Sequence, residues 1–233
     1  MSGLLTLLPP AALRSSAVPA AGTGAYGAAV RPGEGAGVDC LLTHHPGLPR
    51  DRMGNRLSAS GRSLIIDAAH SLYGLRVTGR DLARDGHRRW RLPAHGLTVS
   101  VAHCAEYSAV AFGAGTEVGV DLQDERDRPG AMRWLGDLLG MPGPARIRDF
   151  AECEALIKAS HLTKETFQGV RLPVWRPGWR PTGTGAYRVR STAVGRAAHL
   201  ALAADGAVPV RWWWQPAPGT AATRTDAPTL EPA

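Results

Sequence analysis

Residues Ser100 to Gln123 read SVAHCAEYSAVAFGAGTEVGVDLQ, and the rest of the chain is organised around this stretch. Val99, Val101, Tyr107, Ala109, Val110, Ala111 and Phe112 are β-branched, aromatic or small and apolar, which is strand composition. Gly113 and Gly115 mark a turn, after which Val118, Gly119, Val120 and Leu122 restart the strand. Two buried strands joined by a short turn are expected. The polar groups with chemistry to offer inside this apolar frame are Ser100, His103, Cys104 and Asp121. A carboxylate in the middle of VGVDL is costly to bury unless a cation or hydrogen bonds compensate it. The alternative is an Asp that caps a turn or helix after the strand.

A second stretch, Asp149 to Ala159, reads DFAECEALIKA. Phe150, Ala151, Glu154, Ala155, Ile157 and Lys158 recur at helical spacing, so Glu154 and Lys158 lie one turn apart on one face. Alone, such a pair is an exposed salt bridge worth roughly 0.2–0.5 kcal/mol.

Taken together these stretches resemble the Sfp-type 4′-phosphopantetheinyl transferases, in particular the enterobactin-synthetase component D branch. The residues that carry the resemblance are Ser100-Val101-Ala102-His103-Cys104, Gly119-Val120-Asp121-Leu122-Gln123 and Phe150 through Ala159, in the family's order. A weaker likeness runs from about Leu4 to about Val210. The resemblance implies an α+β fold of two pseudo-symmetric halves with the active site between them. On that basis the chain divides into a Pro/Ala/Gly-rich arm over 1–36, halves over 37–115 and 116–214, and a flexible tail over 215–233. The arm's composition reads as disordered, whereas the resemblance implies that Leu4 to Pro10 begins a first strand.

The resemblance also implies a chemistry. A serine of an apo acyl or peptidyl carrier protein attacks the coenzyme A pyrophosphate next to the pantetheine, and adenosine 3′,5′-bisphosphate leaves. Asp121 and Glu154 match the family's Mg²⁺-binding acids, with Gln123 as a third candidate ligand. Glu154 also matches the group that receives the serine proton. Lys158 matches the lysine that holds coenzyme A phosphate, and His103 the histidine on the nucleotide phosphate. Arg52, Arg56 and Arg62 fall where the family clamps the 3′-phosphate, and His87 or Arg88 falls near a family lysine. Each of these groups also has an ordinary reading: a hydrogen-bonded core histidine, or solvated surface charge.

The pattern breaks in four places. Gln123 replaces a second acid, Ala102 a Ser or Thr, Cys153 a lysine, and Ser160-His161 a small helix end. Losing charged contacts costs roughly 1.5–3 kcal/mol each. Arg146, Arg148 and Lys164 are candidate compensators. A degenerate binding protein, or a diverged enzyme using Cys104 or Cys153, therefore remains open. Alternation along a strand puts His103 and Cys104 on opposite faces, which favours a packed Cys104.

Elsewhere, Leu57 to Gly74 shows a helical apolar face, and Asp85 to Pro93 is basic and turn-rich. A charged loop over Asp124 to Pro129 precedes a short helix over Ala131 to Leu139. Val170, Leu172, Val174 and Trp175 suggest a strand, as do Tyr187 to Ser191 and Ala197 to Ala204. The 233 residues suit one large domain or two small ones. The net charge of +7, carried mostly by Arg, favours anionic partners. Scattered Arg residues without interleaved aromatics speak against nucleic acid. Three well-separated Cys form no zinc pattern or disulfide framework, so a reducing cytoplasm is expected. No run of 18 apolar residues is present, and the apolar start lacks a basic n-region, so neither a membrane span nor a signal peptide is expected. Family members of this size imply a monomer.

Overall fold

The computed structural model describes residues 6–8, 36–44, 58–104, 107–125, 128–163, 165–168, 170–195, 198–215 and 230–231. In chain order the elements are β1 (Thr6–Leu8), β2 (Gly37–His44), α1 (Ser58–Tyr73), β3 (Ala83–Arg84), β4 (Trp90–Leu92), β5 (Leu97–Cys104), β6 (Tyr107–Ala114) and β7 (Val118–Asp124). There follow α2 (Pro129–Leu139), α3 (Ile147–Ala159), β8 (Arg180–Pro181), β9 (Arg188–Val194), β10 (Ala198–Ala204), β11 (Val210–Gln215) and β12 (Leu230–Glu231). The class is α+β.

Two sheets result. The first has seven strands in the order β1-β11-β2-β6-β5-β4-β3, and the second runs β12-β9-β10-β7 with β8 beside β9. They pack face to face. Val38, Cys40, Leu42, Ala109 and Ala111 of the first sheet meet Val120, Leu122, Leu200 and Leu202 of the second in one core. On its outer face the first sheet carries α1, with Ile65, Ala68, Ala69 and Leu72 packed on Leu41, Val99, Val110 and Phe112. The second sheet carries α3, with Ala151, Ala155, Leu156 and Ala159 on Val189, Ala201 and Ala203. The order of layers is thus helix, sheet, sheet, helix.

The stretch that opened the sequence forms three strands, not two. Cys104 pairs with Tyr107 and His103 with Ser108, so a connection of only two residues splits it into β5 and β6. Ala105-Glu106 carries none of the Gly, Asn or Pro signals that announce a hairpin. Gly113 is inside β6, where a Cβ would come within 2.5 Å of Thr98 Oγ1 and the Thr116 carbonyl. The chain crosses between sheets over residues 115–117.

Helix α1 ends where expected, at Gly74 with φ +66°, whose N–H donates to the His70 carbonyl at 2.8 Å. Helix α3 starts three residues before Phe150, because Asp149 Oδ2 accepts the Arg146 backbone N–H at 2.9 Å and closes the first turn. Strands β9 and β10 form the expected meander. The expected strand over 170–175 is irregular chain, with Val174 fully exposed. Pro173 lacks a backbone donor for a sheet ladder. The expected floppy tail contributes β12, which pairs with β9; residues 216–229 lie outside the described residues. Among the described residues, no helix is long and apolar enough to cross a membrane.

Candidate functional site

Asp121 sits mid-strand in β7 and is buried. A carboxylate there needs a partner, and α3 supplies one: Lys158 Nζ donates to Asp121 Oδ1 at 2.7 Å. The same ammonium reaches the Val120 carbonyl at 3.0 Å and the Val101 carbonyl at 3.4 Å. The close approach that permits this is written in small residues. A Cβ on Gly119 would lie 2.0 Å from the Ala155 carbonyl oxygen and 2.6 Å from the Ala159 nitrogen. Helix α3 therefore rides directly on the β7 backbone, and Lys158, next to Ala159, is delivered to the strand residue two places beyond Gly119. Ser100 ties the two sheets together at the same point, its Oγ accepting the Val120 N–H at 2.9 Å.

The second oxygen of Asp121 accepts Gln123 Nε2 at 2.7 Å. Gln123 Oε1 in turn accepts Arg128 Nη1 at 3.1 Å, and Arg128 Nη2 donates to Asp124 Oδ1 at 3.0 Å. Arg128 was not among the sequence candidates. It lies in the charged loop before α2, where no periodicity distinguishes one Arg from another.

His103 projects from β5 half-buried, with Nδ1 hydrogen-bonded to Ser108 Oγ on β6. Its other nitrogen lies beside the first turn of α1, since a Cβ on Gly61 would stand 3.8 Å from His103 Nε2 and 3.7 Å from Val101 Cγ1. Arg62, the next residue, is exposed. A helix N-terminus with adjacent imidazole, ammonium and guanidinium groups is a favourable setting for an anion. Arg52, Arg56 and Lys164 lie outside the described residues.

Glu154 stands one turn before Lys158, half-buried, and lines an apolar groove with Trp134, Leu138, Phe150 and Ile157. Cys153 lines the same groove. Burial above all, then the carboxylates of Asp149, Glu152 and Glu154, push its thiol far up, so it offers no thiolate for nucleophilic work. Cys104 is packed in the core between the sheets, on the face opposite His103. His87 and Arg88 are exposed on a turn that meets the end of α3, with the His87 and His161 rings 6.2 Å apart. Arg89, also missed by sequence reasoning, donates from Nη1 to the Ala159 carbonyl at 2.7 Å and caps that end. Of the candidate compensators, Arg148 lies over the Trp175 ring at 5.3 Å and Arg146 is exposed.

The structure thus unites Asp121, Lys158 and Gln123, and sets the start of α1 beside His103 and the side chain of Val101, the residue whose carbonyl Lys158 touches. As arranged, these donors do not fit a Mg²⁺ ion. Both Asp121 oxygens accept N–H groups, and Gln123 turns its amide nitrogen, not its oxygen, toward the carboxylate. Among the described residues no group of three or more His, Cys, Asp or Glu is placed to hold a metal ion. Comparison of the chain with known protein-family models and with curated proteins finds no match.

Proposed function

We propose that the chain belongs to the phosphopantetheinyl-transferase type and moves the phosphopantetheine arm of coenzyme A onto a serine of an apo acyl or peptidyl carrier protein. One observation carries this reading: the contact between the buried Asp121 and the part-exposed Lys158, two residues 37 positions apart that the resemblance had assigned to one site. The helix-on-sheet layering on either side of a shared core supports the two-half arrangement that the resemblance implies.

In this reading the coenzyme A phosphates lie against the first turn of α1, His103 and Lys158. The carrier serine Oγ forms a bond to the phosphorus next to the pantetheine, and the bond from that phosphorus to the adenosine 3′,5′-bisphosphate oxygen breaks. Glu154 receives the serine proton. Lys158 neutralises charge developing on the leaving phosphate. The chain's positive charge favours both coenzyme A and acidic carrier domains.

A second reading is favoured by Lys158 and Gln123 already occupying the two Asp121 oxygens: a protein that binds coenzyme A or a carrier without transfer. Intact mass of apo carrier proteins, incubated with the protein, coenzyme A and Mg²⁺, separates the two. A gain of one phosphopantetheine, lost with Lys158→Ala and with Glu154→Gln, is the expected result. Coenzyme A binding without any mass gain across several carrier types would replace the first reading by the second.

A further inference from the structure

We infer that the Lys158 ammonium holds at Asp121 the position of a divalent cation, so that this carboxylate is closed to metal as long as Lys158 stays in place. The inference rests on Asp121 being the acid of the site proposed above.

Three oxygens converge on Nζ: Asp121 Oδ1 at 2.7 Å, the Val120 carbonyl at 3.0 Å and the Val101 carbonyl at 3.4 Å. An ammonium has three donors and no acceptor, so each N–H finds an oxygen. Carboxylate and carbonyl oxygens around a compact positive charge are the surroundings a hard cation takes. A flat, forked guanidinium would not fill that space in the same way. Of the 27 basic side chains only two are lysines, and one of them is here.

The other face of the carboxylate is closed as well. Arg128 can only donate, so Gln123 must present Oε1 to it and its NH₂ to Asp121. A glutamate at 123 would put a second negative oxygen beside Asp121. The glutamine instead puts a donor there, and Arg128, anchored on Asp124, holds it in that orientation. A divalent ion reaching Asp121 meets a bonded N–H at each oxygen and a resident positive charge 2.7 Å from one of them.

The test uses the full chain with Mn²⁺ as probe and neither coenzyme A nor carrier, read by the free-Mn²⁺ signal in electron paramagnetic resonance. The natural chain should show no Mn²⁺ uptake that depends on Asp121. Lys158→Ala combined with Gln123→Glu should bind about one equivalent, at least 10-fold more tightly, and adding Asp121→Asn should abolish it. Uptake by the natural chain that Asp121→Asn removes would overturn the inference. So would a folded double variant that takes up no Mn²⁺, since Lys158 would then not be what excludes the ion. Should the double variant fail to fold, the natural chain and Asp121→Asn decide alone, with melting temperature as second readout. A Mg²⁺-induced rise in the natural chain that Asp121→Asn removes would count against the inference, and an unchanged melting temperature for it. Transfer is absent from this experiment, so its failure leaves the mass measurement untouched.

Discussion

Asp39 in the first sheet and Asp121 in the second are matched in position and opposite in character. Each is a buried carboxylate on a strand, on the face of its sheet that carries a helix. Asp39 accepts four hydrogen bonds: Tyr73 Oη at 2.7 Å and Arg211 Nη2 at 2.6 Å on one oxygen, Arg211 Nε at 2.7 Å and Trp213 Nε1 at 2.9 Å on the other. Its donors are a phenol, an indole and a guanidinium that grips both oxygens, although Arg211 keeps 50 % of its side-chain surface in solvent. Asp121 accepts only one ammonium and one amide, and Lys158 keeps 32 % of its side-chain surface in solvent. A carboxylate whose four acceptor sites are filled, two of them by ring donors, can do little except hold a sheet to its helix. One held by a movable, part-solvated cation can exchange partners when a ligand arrives.

The contrast is easiest to break with Asp39→Ala. Removing the shared acceptor leaves the Tyr73 hydroxyl and Trp213 N–H unsatisfied, while the half-exposed Arg211 guanidinium turns to water, so unfolding stability should fall by about 2–4 kcal/mol in urea titration. A loss below about 1 kcal/mol would erase the distinction. Next comes Gly119→Val, whose side chain meets the α3 backbone. Overpacking should cost about 1–3 kcal/mol and push Lys158 off Asp121, and a variant as stable as the natural chain would show that α3 does not ride on β7. Asp121→Asn should change stability by less than about 1 kcal/mol, because Lys158 can withdraw into water, while the proposed phosphopantetheine transfer is lost; equal loss of stability at positions 39 and 121 would merge the two centres into one kind.

The smallest effect is expected at Asp85, at the rim of the first sheet. Partial burial works to raise this carboxyl, yet hydrogen bonds from the Arg91 side chain and from the Arg89 backbone and side chain outweigh it and hold it well below the usual carboxylate range. A depressed value means that the contribution is present above the unfolded carboxyl's pKa of about 3.9 and is lost as pH falls from there toward the folded value. The stability difference between the natural chain and Asp85→Asn should therefore be constant near neutrality and shrink below about pH 4. A difference growing with acid would reverse the sign assigned here.

Much of this was legible in the order of residues, for identifiable reasons. Periodicity announced α1 and α3, and the energetic cost of burying Asp121 required a cation or hydrogen bonds unless the residue was a cap. Lys158 was proposed for the same site by resemblance. What stayed hidden is nonlocal or lacks turn chemistry. Nothing in VRWWWQ says that β11 pairs in parallel with β2, because strand pairing has no local signature. The orientation of the Gln123 amide depends on Arg128 across a strand-to-helix junction, and Arg89 reaches the end of α3 from 70 residues away. Glu154 was read on the same helix face as Lys158, which holds, but periodicity did not reveal that this carboxylate borders an apolar groove.

The insertion of β11 between β1 and β2 has a consequence for how the molecule is made. Arg211 and Asp39 are 172 positions apart, and at about 5–20 residues per second a ribosome needs on the order of 10–30 s between them. Through that interval β2 has at most one neighbour, β6, and the Asp39 carboxylate waits without its guanidinium. The nascent first sheet thus presents an unpaired edge, open to strands of other chains, until one of its central strands arrives from far downstream.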